Sequence, residues 1–526
     1  MLTFVAEAVH YTYDAENRLT QVTYADGRQI RYGYDAMGNT KSIATVNDSA
    51  PVVLVSSAIE GPIALPIVDY QIAVNRTAGV LAFNAAGLPA GLKVNKGITV
   101  NADGKAPGVI YGTPTASGIF RVGVSARSAV GTGSPATLII NITNPFTRIE
   151  DGYDLAGKAL AILPMSPIVG GELGGSVALT VAPNGSFSGK LVLGTKTYPF
   201  KGQLEGQFGG AVVTVDRAAP LADLTLSLTL GLEGSLRGML LGTLSDGITS
   251  TALDGNVSVF GAAHRATALA GIKGATYNVG IFPNAAHVGN NAFPQGTGFT
   301  FAKVTTSGDV ALTGKLADGT AFSGKSMLFR NGQAHFLIPL YKGNGVFTGT
   351  LEASDGGSVD LLVDNRISGG FAWQRLAMPG TLYAAGFPTR MLTYLAGGYY
   401  VAPAAGWRVF DLGNGAVAAP VTLTLARGGL TTPIISDVTI NTANQVTAFV
   451  PNNNALALGF TPKSGLFSGK FTTGAPARTT TFQGLVLPAF GTTASQGHGY
   501  FLLPGALASD PVLSGSSALV PVGLIF

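Results

Sequence analysis

Apolar and polar residues alternate with period two along most of this chain, in short runs closed by glycine, proline, asparagine or aspartate. Period two sends successive side chains to opposite faces of a strand. Tyr70-Gln71-Ile72-Ala73-Val74, Arg121-Val122-Gly123-Val124-Ser125-Ala126 and the run 136–142 show it. Glycine punctuates such segments from the first tyrosine pair to the final phenylalanine and leaves no room for a long helix. The pattern predicts an all-β chain of many short antiparallel strands.

Internal repeats divide it. Tyr-Asp occurs at Tyr13-Asp14 and again at Tyr34-Asp35, with the turn Ala25-Asp26-Gly27 between them. Beyond residue 146 the unit G-x-(F/L)-x-G recurs as GSFSG at Gly185, GSLRG at Gly234, GVFTG at Gly345 and GLFSG at Gly465. GSFSGKLVLGTKTYPFKG (185–202) parallels GLFSGKFTTGAPARTTTFQG (465–484), and SGDVALTGKLADGTAFSG from Ser307 is a variant. A second unit appears as PQGTGFTF at Pro294 and SQGHGYFLL at Ser495. Each block reads as strand, tight turn, strand, with the central aromatic of every unit on one face. Repeats of this kind predict two or three sandwich or barrel lobes.

Composition agrees. Only 11% of the 526 residues are charged, against about 25% in an average domain, and 73 are glycine. Helical surfaces need more Glu, Lys and Arg, while 46% apolar content is too much for disorder. The length implies three or four domains. Net charge is +4, from 32 basic and 28 acidic residues, with no Lys/Arg run to bind nucleic acid. The absence of cysteine excludes disulfides, thiolate metal sites and a cysteine nucleophile. No apolar run reaches the roughly 18 residues of a spanning helix, so the chain is not expected to span a membrane. The opening MLTFVAEAVHYTYDAENR has neither a basic nor an apolar leader region. Either the chain belongs to a longer protein or export is signalled elsewhere.

The segment YTYDAENRLTQVTYADGRQIRYGYDAMGN resembles the YD repeats of the RHS family, with Glu16-Asn17 in place of the first usual pair. That resemblance implies hairpins belonging to a larger β-shell, which two repeats cannot close. GLPAGLKV from Gly87 and GVIYGTPTASGIFRVGVSA from Gly108 resemble the bacterial putative-Ig, cadherin-like domain. Residues 127–131 stand where that family has an Asn-bearing turn. The resemblance implies a sandwich that serves as a spacer or adhesive module. Some relatives bind calcium, but Asn101-Ala102-Asp103-Gly104 reads as a turn. PQGTGF, GKLADGT and the tyrosine-rich 397–403 resemble an uncharacterised repeat domain of exported Verrucomicrobia and Planctomycetes proteins. That likeness implies a fold and a location without a mechanism. The expected order is YD hairpins (1–45), linker (46–61), putative-Ig sandwich (62–145) and three β-repeat lobes (146–270, 271–395, 396–526).

Several motifs imitate chemistry. Gly319 to Ser326 fits the phosphate-loop pattern, and Asp364 follows a strand-like run, but that site needs a helix after the loop. Arg330-Asn331-Gly332 reads instead as a hairpin turn. Gly413-Asn414-Gly415 fits a loose dinucleotide fingerprint, but Pro420 and the β-rich 421–425 block its helix. His10, His264, His287, His335 and His498 lack metal-ligand spacing. Glu150-Asp151 reads as a solvated turn. The alternation Ala518, Val520, Val522, Leu524, Phe526 imitates a membrane barrel's last strand but holds Pro521. No catalytic residue, cofactor or metal site is nominated.

Trp373, Trp407, Tyr399 and Tyr400, near Tyr383 and Tyr394, are the candidate ligand-binding residues, because aromatic faces on a sheet stack on sugar rings. Core packing is the competing role. The expected function is a non-enzymatic structural or adhesive protein, extracellular or on the bacterial surface. Its expected partners are polysaccharide or another surface protein, and its oligomeric state stays open. The alternatives are a secreted carbohydrate-binding protein and a fragment of an RHS-type toxin or shell protein.

Overall fold

The computed structural model describes residues 9–24, 28–47, 50–75, 79–129, 131–147, 154–163, 174–258, 260, 276–329, 332–354, 366–415, 419–489 and 494–522. The chain is all-β, and its helical turns among the described residues are single 3-10 turns. Two compact units are present: Met1–Arg148 with Ala182–Ser186 and Gln203–Gly209, and Ile149–Val181 with Phe187–Gly202 and Gly210–Phe526.

The first unit begins with a four-stranded meander, His10–Tyr13, Leu19–Thr23, Arg28–Tyr34 and Thr40–Asn47. Its two YD turns have one design. Asp14 Oδ1 accepts the amide N–H groups of Glu16 and Arg18 at 3.1 and 2.8 Å. Asp35 Oδ1 accepts those of Met37 and Asn39 at 3.0 and 2.9 Å. The second carboxylate oxygen takes the side chain four residues on, Arg18 Nε at 2.8 Å or Asn39 Nδ2 at 3.1 Å. Residue three of each turn is left-handed, Asn17 at φ 62° and Gly38 at φ 87°. Asparagine tolerates that region better than other side chains, so Asn17 performs the glycine's task. The amide of Asn39 holds the Asp35 carboxyl below its ordinary value of 3.8. Successive turns also touch: Tyr34 donates to Leu19 O at 2.9 Å, and the Arg18 guanidinium lies 4.9 Å from the Tyr34 ring centre.

A four-stranded sheet (Ile59–Pro62, Ala136–Thr143, Gly118–Ser128, Val80–Ala86) and a three-stranded one (Leu92–Val94, Val109–Gly112, Tyr70–Gln71) follow. Alternate residues Phe83, Ile110, Val122, Val124, Leu138 and Ile140 are buried, and Phe83 lies against Gly108 beside the second sheet. The stretch 46–61, expected as linker, is partly folded in. Val53–Leu54 pairs with Ala73–Val74, and Ile59–Pro62 runs parallel to Ala136–Thr143.

The second unit holds three eight-stranded antiparallel sheets, here barrels I (157–257), II (276–399) and III (419–521). Each is a meander whose first and last strands pair, leaving one seam. In II, Ser326 Oγ reaches His335 O across the seam at 2.6 Å. In III, an isolated bridge joins Gln445 to Gly459. The last strand of II, Met391–Tyr399, runs past the boundary expected at 395. The last strand of III, Leu513–Pro521, pairs with strands on both sides.

The G-x-F-x-G repeat solves an interior packing problem. Phenylalanine and the second glycine, two apart on a strand, both face inward. Across the hairpin Phe467 faces Gly484 and Gly469 faces Phe482. A Cβ at Gly484 or Gly469 would meet the facing ring at 2.3 Å. Gly189 and Gly202 meet the rings of Phe200 and Phe187 in barrel I in the same way, at 2.5 and 2.6 Å. Each ring fills the hole its neighbour's missing side chain leaves. At Gly234 the unit does not form a strand: leucine replaces phenylalanine, residues Gly234–Leu236 make a 3-10 turn, and Leu236 is exposed.

Barrels II and III meet through a buried joint. Phe299, Ala317, Leu485, Leu487 and Tyr500 form its apolar cluster. Asn278 Nδ2 donates to Ser464 O and Val486 O at 3.0 and 2.9 Å, and Ser514 Oγ to Ala317 O at 2.5 Å. The two Gln-Gly repeats touch here, Thr297 N–H donating to Gly499 O at 3.0 Å.

Candidate functional site

The four aromatic candidates do not form one platform. Trp373 is 1% exposed, inside barrel II, so it presents no face to a ligand. That corrects its assignment as a stacking residue. The position alternates inward on the strand Arg366–Arg375, as do Phe371 and Ile367. Trp373 Nε1 donates to Tyr341 Oη at 3.0 Å, and Tyr341 Oη donates to Asp318 Oδ2 at 2.6 Å. Arg375 Nη1 donates to the same oxygen at 2.9 Å and Nη2 to Leu382 O at 2.7 Å. The guanidinium lies 4.5 Å from the Tyr341 ring centre. Burial, and then the Asp318 charge, push the Tyr341 hydroxyl's pKa up. Asp318 and Arg375 are 2% and 6% exposed, so this is a buried ion pair capped by aromatics, a structural device.

Tyr399 is half-buried, edge-on to Tyr277 at 6.2 Å. Tyr400 donates to Pro462 O at 2.6 Å and packs on the core of barrel III. Its burial, with the Asp411 charge, pushes its pKa up to about 12. Trp407 alone of the four is well exposed, at 47%. Its loop is rigidly held. Arg408, 3% exposed, donates to Ile440 O, Gly413 O and Gly415 O at 2.8, 3.3 and 2.8 Å. Asn444 bridges Trp407 O and Val409 N–H at 3.0 and 2.7 Å. Phe410 and Asp411 sit at φ 64° and 58°, a strained pair fixed by the buried Phe410 ring and by Ser495 Oγ donating to Asp411 at 2.5 Å.

Tyr394, 48% exposed, is the other displayed ring. It stacks on Phe282 with centres 5.0 Å apart and planes at 14°. His498 abuts Phe282 edge-on at 5.1 Å. Burial pushes the His498 pKa down to about 4. Below about pH 6.5 the unfolded chain therefore takes up a proton that the folded chain refuses, and stability falls as pH drops toward 4. The full effect is about 3 kcal/mol. Urea titrations between pH 7 and 4 should show this slope, and His498→Gln should flatten it.

The imitation motifs resolve as strands and turns. Ala321–Met327 is a strand, so no helix begins at Ser326, while Arg330, Asn331 and Asp364 lie outside the described residues. Gly413 and Gly415 accept from Arg408, and strand Ala419–Arg427 follows. In the Asn101 turn, Asn101 Oδ1 accepts Lys105 N–H at 2.8 Å and Asp103 accepts the Tyr111 hydroxyl at 2.7 Å. His264, Glu150 and Asp151 lie outside the described residues. Among the described residues no three His, Asp or Glu side chains cluster as a metal site, and no helix is long and apolar enough to cross a membrane.

These sheets define an all-β protein of near-closed eight-stranded antiparallel barrels. Its residues 10–50 match the RHS Repeat family model. No curated protein matches the chain. Among solved structures it is similar to the isotype 1 transferrin binding protein B from serogroup B Neisseria meningitidis. Identity is 10%, coverage 77% of this chain and 84% of that one, and the TM-score 0.18. So distant a likeness transfers no property to this chain.

Proposed function

We propose that the chain is a non-enzymatic structural or adhesive protein of the bacterial surface or exterior, built as a rigid β scaffold. The observation that carries this reading is the buried joint between barrels II and III, where Asn278, Ser514 and the Phe299–Tyr500 cluster lock two barrels together. The RHS repeat at 10–50 supports a surface role, as do the resemblances of 62–145 to the putative-Ig domain and of 150–515 to an exported repeat domain. The test is the purified chain in hydrolase and transferase assays and in cell-surface binding. Reproducible turnover would overturn the reading; surface binding without turnover would support it.

Carbohydrate binding is the second reading, favoured by Trp407 on its braced loop. Trp407→Ala should weaken glycan-array binding about tenfold, since one stacking face contributes on that order. Binding that ignores the change removes Trp407 from the site. The RHS match also favours a toxin or shell fragment, for which a long upstream YD array in the neighbouring coding sequence is the test.

A further inference from the structure

Two lysines of one hairpin and a third from a more distant strand converge on the outer face of barrel I. Lys158, Lys190 and Lys201 all point outward and are exposed, on the strands Gly157–Leu163, Ser186–Leu193 and Lys196–Gln203. Between them the strand Gly175–Val181 turns Ala178 and Thr180 outward. Register sets Lys158 opposite Thr180, Thr180 opposite Ser188, and Ala178 opposite Lys190. The result is a floor of short side chains walled by long cationic ones. Pro199 completes the wall, and Met327 of barrel II also lines the groove, which holds about 700 Å³. No carboxylate is among the described residues that line it. Among the described residues, none of the three ammonium groups is in an ion pair.

In a chain with so few charges, three of them stand around one concavity without an ion-pair partner among the described residues. With strands about 4.8 Å apart, the lysines are spaced on the scale of one or two sugar rings. Ammonium groups are strongly hydrated point charges that suit exposed carboxylates. Thr180 and Ser188 add hydroxyls that both donate and accept. No aromatic side chain points outward from the floor, since Phe200 is buried, so the stacking that holds single-stranded nucleic acid is missing.

We propose that this groove binds a linear acidic polysaccharide, its carboxylates on Lys158, Lys190 and Lys201 and its ring hydroxyls on Thr180 and Ser188. The inference needs neither the surface location nor the Trp407 reading. The repeat supplies an internal control. In barrel III the same Ser-Gly-Lys hairpin lines a groove of about 500 Å³ with Ser468, Lys470, Thr481 and Gln483, where Lys470 is the one lysine among the described lining residues and Lys315 donates to Gln483 Oε1 at 3.1 Å.

Calorimetric titration of the full chain with oligogalacturonate, at low and at physiological salt, tests this. Binding should weaken with salt, as interactions of exposed charges do. The triple variant K158Q/K190Q/K201Q should lose about tenfold or more in affinity, with an unchanged melting curve. Lys470→Gln should bind as the parent does. No binding, equal binding of neutral dextran, full affinity in the triple variant, or tighter binding of oligothymidylate would each overturn the proposal. Each of these leaves the scaffold role standing.

Discussion

Arg375→Met is expected to lower the stability of barrel II by about 3–5 kcal/mol, the range for breaking one side of a buried ion pair. The loss comes less from the missing attraction than from what stays behind. Asp318 is 2% exposed, and its Oδ2 would keep only the Tyr341 hydroxyl as partner. Asp318 sits in a turn where its Oδ1 accepts Thr320 N–H at 2.9 Å, so the carboxylate cannot swing out to water without breaking that turn. Adding Asp318→Leu to Arg375→Met removes the orphaned charge and should recover most of the loss. Trp373 lies in the same network, so its fluorescence in urea, in a Trp407→Phe background, reports this barrel directly. If the single change costs under about 1 kcal/mol, the pair is solvated and its structural role is misjudged.

Phe467→Ala and Phe482→Ala should each cost about 3–5 kcal/mol, the usual range for emptying a phenylalanine site in a core. Their rings are 2% and 1% exposed, 6.5 Å apart, and each lies over a glycine. Neither neighbour has a side chain that can swing into the gap, so the cavity stays open. Phe187→Ala and Phe200→Ala test the same device in barrel I. Because the two rings of a hairpin share one void, the double variant should cost less than the sum of the singles. Strict additivity, read from urea melts of all four proteins, would show that the reciprocal ring-over-glycine packing does not couple the positions.

Period-two alternation and turn residues made the all-β class legible, and they also exposed the imitation motifs. Gly319 to Ser326 reads as a phosphate loop by spacing alone, but the hairpin signal after it calls for strands rather than a helix, and the structure has the strand Ala321–Met327 there. The YD spacing was visible too, and it marks carboxylates that organise their own turns within four residues. The aromatic candidates were less legible. Trp373 and Trp407 look alike in sequence, yet one faces a barrel interior and the other sits on a loop. Each has one small and one polar neighbour, Ala372 and Gln374 or Gly406 and Arg408, so local context does not tell the two apart. The lysine groove was missed because Lys158, Lys190 and Lys201 form no run; the recurring Gly-Lys after the repeat unit was the one trace of it.

Strand positions, turn chemistry and the repeat were determined by the sequence itself, because they depend on contacts within a hairpin, where the chain brings its own partners together. The Asp318–Arg375 pair, the joint between barrels II and III, and the convergence of three lysines were decided only by tertiary structure. Those contacts depend on which faces the closed sheets turn inward and which strands become neighbours; Lys158 lies 32 residues from the Lys190–Lys201 hairpin, the ion pair spans 57 and the joint 186 to 208, separations that leave no local pattern to read.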